Sequence, residues 1–294
     1  MTAAAPLVLP AVPAWFRYRH EGTARLGAVD PRGPKFVDLG PLDVHALLAA
    51  GALRQHDLAE RIRGGVAIAA PTAFLPPVPR PGKILCLAKN YVAHAREFGA
   101  EAPTEPIFFA KLPDTLVGHG DDVVIPRWLD SRVDHEAELG LVLGFADPAG
   151  RGAKYVEGPA ACALVAGYTL LNDVTARKLQ GQDREHKYPW LRSKALDTFC
   201  PVGPFVVPAD ALDVSDLQIT MRVDGAVRQQ ARTSAMVFGI AAALAAMARC
   251  TTLRPGDLIA MGTPEGVGPV VPGNVMAVEI ERLGVLQNRV VKEA

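Results

Sequence analysis

The chain has 294 residues, of which 49% are hydrophobic and 21% charged, and its formal net charge is zero. This is the composition of an ordinary globular protein, without the basic excess that nucleic-acid binding requires. The four cysteines are widely scattered and form no CxxC pair, so neither a zinc knuckle nor a disulfide framework is indicated.

The N-terminal end of the sequence does not resemble a signal peptide. It has no basic segment, and Pro10 and Pro13 interrupt it. The longest apolar stretch, residues 239–248, is too short to span a bilayer. We therefore expect a soluble, cytoplasmic protein that binds neither membranes nor nucleic acid.

Residues 1–78 are predicted to form a small N-terminal domain. Within them, residues 15–29 have the composition of strands, and residues 43–51 and 57–62 fit two short helices. Four prolines and a glycine within residues 75–82 then interrupt any helix or central strand. We place the domain boundary there and assign residues 79–294 to a second, β-rich domain.

His94 and Glu97 come soon after this boundary and are three residues apart. On a helical turn the carboxylate can orient the imidazole. Such a pair forms a general base that can take a proton from water near neutral pH, although an exposed, solubilising pair has the same spacing. The polar, breaker-rich residues that follow favour a mobile lid, which we place at residues 89–105.

A strand predicted over residues 136–144 carries Glu136 and Glu138 on one face, because side chains two apart point the same way. Asp173 follows the next apolar strand, residues 163–171, and can supply a third carboxylate. Like charges directed into a protein need a compensating cation. Three carboxylates without Cys or His suit Mg²⁺ or Mn²⁺ rather than Zn²⁺. The alternative is a solvated strand face with an unrelated aspartate at its end.

Cationic and polar residues follow Asp173 along the chain. Arg177 and Gln180 come about one helical turn after it, close enough to bind a carboxylate that also touches the metal. The planar guanidinium of an arginine matches a carboxylate in two hydrogen bonds. Lys194 is suited to hold an enolate or keto oxygen. Each of these residues taken alone also fits a surface salt bridge, which contributes little.

The remaining segments are mostly strand-like, at residues 84–87, 218–223, 258–261 and 276–281. Asp224-Gly225 predicts a hairpin turn, and Thr233 or Ser234 is expected to cap a helix over residues 236–249. The glycine-rich residues 262–268 lack the Lys-Ser or Lys-Thr of a phosphate loop, so we reject nucleotide binding. They instead allow backbone amides and the Thr263 hydroxyl to approach a ligand.

Five motifs together resemble the fumarylacetoacetate hydrolase family. They are NYxxHxxE, (D/H)(Y/H)ExEL, GYxxxNDxTAR, WxxxKxxDxxxPxGP and RPGDxIxxGTPxGVG, and they occur in this order from about residue 83 onward. The resemblance implies an α+β, predominantly β fold, a mixed β-sandwich or roll, that assembles as a homodimer. It also implies the following roles: metal ligands Glu136, Glu138 and Asp173, catalytic residues His94, Glu97 and Lys194, and substrate-binding residues Tyr91, Arg177, Gln180 and Thr263.

Three features are most similar to the acylpyruvate hydrolase branch of this family: the Pro189-Trp190 step, the Cys200-Pro201 step and His135 before Glu136. That resemblance implies a Mg²⁺- or Mn²⁺-dependent hydrolase that cleaves a C–C bond in small anionic 2,4-dioxo acids of acylpyruvate or fumarylpyruvate type, in aromatic catabolism. Oxaloacetate decarboxylation and isomerisation of 2-hydroxyhepta-2,4-diene-1,7-dioate use the same enolate and stay open as alternatives. A non-catalytic, metal-stabilised binding protein is disfavoured because it gives the His94–Glu97 pair no role.

Overall fold

The computed structural model describes residues 7–33, 36–97, 99 and 101–294. Within these residues the chain forms seven α-helices and a larger number of strands, so the expected α+β, predominantly β fold is confirmed. The helices are α1 Val44–Ala49, α2 Gln55–Gly64, α3 Val92–Glu97, α4 Gly158–Cys162, α5 Arg177–Glu185, α6 Leu191–Lys194 and α7 Ile240–Cys250. The strands are β1 Ala14–His20, β2 Thr23–Val29, β3 Phe36–Gly40, β4 Val66–Ala67, β5 Phe74–Leu75, β6 Ile84–Ala88, β7 Ile107–Lys111, β8 Leu116–Val117, β9 Asp122–Ile125, β10 Val133–His135, β11 Ala137–Leu143, β12 Val165–Asn172, β13 Thr175–Ala176, β14 Cys200–Pro208, β15 Gln218–Val223, β16 Ala226–Arg232, β17 Leu258–Ala260, β18 Gly268–Val270, β19 Val275–Ile280 and β20 Gly284–Lys292.

Most of these strands join one large sheet with the order β4-β3-β2-β1-β14-β12-β11-β17-β6-β7, to which β5 and β8 add at β1 and β14. Smaller sheets have the orders β13-β10-β18 and β16-β15-β19-β20-β9. Strand β11 lies near the centre of the large sheet and is buried along its whole length, which explains its nearly continuous apolar sequence.

The large sheet continues across the proline-rich segment that follows β5. Strand β1 pairs with β14, with Trp15 opposite Val206. Trp15 and Leu26 also pack in the same apolar cluster as Ile84 and Cys86 of β6. The N-terminal strands therefore share both hydrogen bonds and core with the rest of the chain.

The register of four neighbouring strands brings distant loops to one edge of the sheet. Strands β6 and β17 run parallel, so the segments that follow them leave at the same edge. Strand β11 runs antiparallel to β17 and begins at that edge. It also pairs with β12, with Ala137 opposite Asn172, so Asp173 lies beside the start of β11.

Two local predictions can be compared directly with the structure. The turn Asp224–Gly225 connects β15 and β16, and both residues have positive φ, 50° and 81°, as a tight hairpin requires. The predicted start and cap of the last helix are wrong. Helix α7 begins at Ile240, and its N-cap is Gly239 without a side-chain hydrogen bond.

The hydroxyls expected to cap that helix are used at the base of the hairpin instead. The Thr233 hydroxyl donates to the carbonyl of Val214 and accepts from the amide of Leu217, while Ser234 donates to Asp216. Local sequence could not show that these groups were already engaged.

None of the helices in the described part of the chain has the length and apolar character needed to cross a bilayer. Residues 1–6, on which part of the signal-peptide argument rests, lie outside the described residues.

Candidate metal centre and active site

Three acidic side chains meet at this edge of the sheet. Glu136 lies between β10 and β11, Glu138 is in β11, and Asp173 follows β12. All three are buried, and a carboxylate oxygen of each lies within 4.8 Å of the others. The backbone holds them in place, because the amide of Asp173 donates to the carbonyl of Glu136 and the amide of Glu136 donates to the Asn172 side chain. The structure therefore brings together the three carboxylates that the sequence predicted to lie close to one another.

Cationic side chains surround two of these carboxylates. Lys194 Nζ donates to Glu136 Oε2 at 2.8 Å and also to Asp173 Oδ2. Arg177 donates to Glu136 Oε1, and Lys111 Nζ donates to Asp173 Oδ1 at 2.6 Å. Burial opposes the ionisation of Glu136, but the charges of Lys194 and Arg177 outweigh it and hold its pKa below the ordinary range.

Glu138 has a different environment from its neighbours. Its carboxylate accepts a hydrogen bond from the amide of Gly262 at 2.6 Å. Burial, followed by the negative charges of Asp173 and Glu136, raises the pKa of Glu138 well above its ordinary value. A carboxylate in this position requires either a proton or a further cation.

The three carboxylates fit a divalent ion. A cation among them would relieve the repulsion at Glu138, and an all-oxygen ligand set suits a hard ion such as Mg²⁺ or Mn²⁺. The geometry is compatible with either metal.

His94 and Glu97 form the predicted contact on α3, with His94 Nδ1 3.2 Å from Glu97 Oε2. The other oxygen of Glu97 accepts from the amide of Gly266 at 2.8 Å. This second bond links α3 to the glycine-rich segment after β17. The predicted lid, residues 89–105, contains Phe98 and Ala100, which lie outside the described residues.

A cavity of about 220 Å³ lies beside His94, Glu136 and Glu138. Its walls contain most of the site residues predicted from sequence, together with neighbours that were not predicted. The predicted residues are His94, Glu136, Glu138, Arg177, Gln180, Lys194 and Thr263, and the others are Leu87, Ala88, Lys89, Phe109, Gly181, Arg184 and Trp190. The Lys194 ammonium lies 4.9 Å from the centre of the Phe109 ring, a cation–π contact.

Tyr91 lies outside the residues that line this cavity. Its side chain is buried, and its hydroxyl has no hydrogen-bond partner among the described residues. Burial raises the pKa of this phenol, so the group is neutral near pH 7.

Arg177 and Gln180 lie in the first turn of α5 and are in contact, because Arg177 Nη1 donates to Gln180 Oε1 at 2.7 Å. The same guanidinium donates to Asp134 Oδ2 at 2.8 Å and to Glu136. Sequence reasoning assigned Arg177 to substrate and did not identify these carboxylate partners.

The sequence interpretation also missed Lys111 and Gln229, both of which contact the site. Lys111 ends the otherwise apolar strand β7. A lysine at the end of an apolar run was the sequence feature that could have identified it as a buried charge. Gln229 is the buried residue in the mostly exposed strand β16 and donates to Thr263. Its neighbours in sequence gave no indication of this contact.

Comparison with known proteins identifies related sequences. The family model described as "Fumarylacetoacetate (FAA) hydrolase C-terminal" matches residues 83–291. Human mitochondrial oxaloacetate tautomerase FAHD2A is 38% identical over 282 residues, which cover 92% of this chain and 84% of that protein.

Two solved structures are similar over nearly the whole chain. The fumarylacetoacetate hydrolase from psychrophilic Exiguobacterium antarcticum has a TM-score of 0.80 at 32% identity and covers 96% of this chain and 100% of its own. The maleylpyruvate hydrolase from Sphingobium sp. SYK-6, in complex with manganese(II) and pyruvate, has a TM-score of 0.77 at 30% identity, with coverage of 96% and 100%.

Proposed function

The chain belongs to the fumarylacetoacetate hydrolase family, and we propose that it is a divalent-metal-dependent hydrolase that cleaves 2,4-dioxo acids to pyruvate and a carboxylic acid. One observation carries the proposal: Glu136, Glu138 and His94 line the same cavity. A metal site and a general base facing one space suit hydrolysis better than binding alone.

Glu136, Glu138 and Asp173 would hold Mg²⁺ or Mn²⁺. Bound there, the ion would act as a Lewis acid that polarises the 2-oxo carboxylate and stabilises negative charge. The pyruvate and manganese in the maleylpyruvate hydrolase complex support this class of ligand.

The protein's own residues would carry the remaining steps. Arg177 and Thr263 orient the C1 carboxylate, and His94, held by Glu97, takes a proton from a water molecule. The resulting hydroxide adds to the C4 carbonyl, the C3–C4 bond breaks, and its electron pair passes into the enolate of pyruvate. The Lys194 ammonium stabilises this enolate, which then takes up at C3 the proton that His94 removed from the water molecule.

Burial disfavours the charged form of Lys194, but the charges of Asp173 and Glu136 outweigh this effect and raise its pKa. The side chain is therefore a cation at neutral pH, as stabilisation of an enolate requires.

Oxaloacetate tautomerisation is the second candidate, favoured by the 38% identity with the human tautomerase over 92% of this chain. That reaction moves a proton between C3 and the C2 oxygen and breaks no C–C bond. Oxaloacetate decarboxylation and dienoate isomerisation share the enolate and are further alternatives. The family resemblance also supports our proposal of a cytoplasmic homodimer in aromatic catabolism, and light scattering would test the dimer.

A substrate panel with Mn²⁺ or Mg²⁺ tests the proposal: acetylpyruvate, fumarylpyruvate, oxaloacetate and the dienoate. We expect C–C hydrolysis, and we expect His94→Ala to lower its rate by roughly 10²- to 10⁴-fold, the effect of losing a general base. Decarboxylation needs no attacking water and should fall much less. His56, which is exposed on α2, offers the control variant His56→Ala.

Tautomerisation without any C–C cleavage would establish the second candidate instead. Equal loss of hydrolysis and decarboxylation in His94→Ala would mean that the His94–Glu97 pair positions substrate and does not activate water.

A further inference from the structure

Gln229 is a buried amide on a strand that is otherwise largely open to solvent. Its exposed fraction is 1%, while its neighbours Arg228 and Gln230 are exposed. Burying a primary amide is costly unless its hydrogen-bonding groups are satisfied. All four hydrogen-bonding positions of this amide are used.

The partners of Gln229 determine how its amide is oriented. Its Oε1 accepts from the amide of Ala137 at 3.0 Å and lies 3.1 Å from His135 Nδ1. Its Nε2 donates to the carbonyl of Pro264 and to Thr263 Oγ1, both at 2.8 Å. A backbone N–H can only donate and a carbonyl can only accept, so the reversed orientation would place like groups against each other twice.

This orientation fixes the role of the Thr263 hydroxyl. Because Gln229 Nε2 is a donor, Thr263 Oγ1 must accept from it, and the hydroxyl hydrogen remains available. No described residue accepts a hydrogen bond from the Thr263 hydroxyl, and Thr263 lines the cavity together with Glu136 and Glu138. A carboxylate ligand has only acceptors, so it requires a donor at this position.

We propose that Gln229 is a positioning residue that makes the Thr263 hydroxyl a hydrogen-bond donor to the carboxylate of the bound 2-oxo acid. The ligand class rests on the proposed function. The same side-chain amide accepts a hydrogen bond from the backbone amide of Ala137, the residue between Glu136 and Glu138. Gln229 therefore connects Thr263 to the segment that carries two of the proposed metal ligands.

The test measures ligand affinity and does not depend on turnover. Pyruvate and oxalate are titrated calorimetrically into the Mn²⁺-loaded protein. We expect Gln229→Met and Thr263→Val each to weaken binding roughly 10-fold, the value of one hydrogen bond to a charged group. The adjacent, exposed Gln230 provides the matched control, and Gln230→Met should bind as the wild type does.

The double variant distinguishes positioning from general structural damage. If Gln229 acts through the Thr263 hydroxyl, then Gln229→Met should cost nothing further in the Thr263→Val background, whereas independent effects would multiply to about 100-fold. Thr263→Ser keeps the hydroxyl and should restore the dependence on Gln229. Gln229→Leu, which cannot donate to Thr263 and adds no charge, provides a second variant if Gln229→Met folds poorly.

The binding results distinguish a failure of the role proposed for Gln229 from a failure of the proposed function. Unchanged affinity in Gln229→Met or Gln229→Leu, or multiplicative losses in the double variant, would overturn the role of Gln229 while the proposed function stands. A wild-type protein that binds neither pyruvate nor oxalate would overturn both.

Discussion

Replacing Lys111 with methionine should destabilise the metal-free protein strongly. The Lys111 side chain is fully buried, and its ammonium donates to Asp173 Oδ1 at 2.6 Å and to the carbonyl of Val174 at 3.3 Å. Methionine is an apolar residue of similar length, so the change removes the charge with little change in packing. Removing one partner of a buried ion pair costs about 3–5 kcal/mol, because the other charge is left uncompensated.

The lower end of this range applies here because Lys194 also donates to Asp173. A loss of about 3 kcal/mol corresponds to a fall of roughly 5 °C in melting temperature for a chain of 294 residues, from an unfolding entropy of about 2.1 cal/mol/K per residue. About half of that loss should be specific to the metal-free state. A divalent ion held by Asp173 would replace the missing charge, and without the ammonium of Lys111 it would be repelled less.

Mn²⁺ should therefore bind the Lys111→Met variant at least as tightly as it binds the wild type. A tenfold gain in affinity contributes about 1.4 kcal/mol at saturating metal, so the deficit in stability should fall to roughly half. Thermal unfolding in EDTA and in saturating Mn²⁺ measures both values.

Lys83 provides the matched control, since its ammonium lies 2.8 Å from the buried carboxylate of Asp257. Asp257 is not one of the three clustered carboxylates, so Lys83→Met should lose the same stability with and without Mn²⁺. If Lys111→Met also shows equal deficits in EDTA and Mn²⁺, then Asp173 does not bind the metal and the reasoning is refuted.

Three further predictions concern metal affinity, acid stability and dynamics. Glu138→Gln should weaken Mn²⁺ binding at least 10-fold by calorimetry, since a charged ligand is lost; unchanged affinity would contradict the ligand assignment. The hydrogen bond from Arg25 helps lower the pKa of Asp38 to about 2, so this carboxylate stabilises the fold above its unfolded pKa, and the contribution disappears as the pH falls from about 4 to 2. Asp38→Asn should remove about 1 kcal/mol of that acid-dependent stability, measured by melting temperature against pH, and an unchanged pH profile would show that the pair contributes nothing. Amide exchange in residues 89–105 should slow when metal and oxalate are added, and equal exchange with and without them would rule out a substrate-linked lid.

Strand alternation was sufficient to predict that two members of the acidic cluster lie together. A period of two places Glu136 and Glu138 on one face whatever the rest of the fold does. The pairing of β11 with β12 then brings Asp173 beside them. His94 and Glu97 were equally predictable, because their contact lies within a single helical turn.

Contacts between distant segments were not predictable in the same way. Lys111 and Asp173 are 62 residues apart, and Gln229 and Ala137 are 92 apart, so neither pair leaves a local pattern. The proline-rich run at residues 75–82 predicted a domain boundary, which stays a prediction. The pairing of β1 with β14 shows that one sheet nevertheless spans it.

Two cationic side chains that bind the carboxylate cluster are also the ones proposed to bind the substrate. Arg177 and Lys194 donate to Glu136, although the mechanism assigns them to the substrate carboxylate and the enolate. In the metal-free protein they are held by the charge they neutralise. A divalent ion that neutralises Glu136 would weaken these two bonds, so that the donors they use can turn toward an anion while Arg177 keeps its bond to Asp134. Metal and substrate should therefore bind with positive coupling, because each compensates the charge that the other leaves unbalanced.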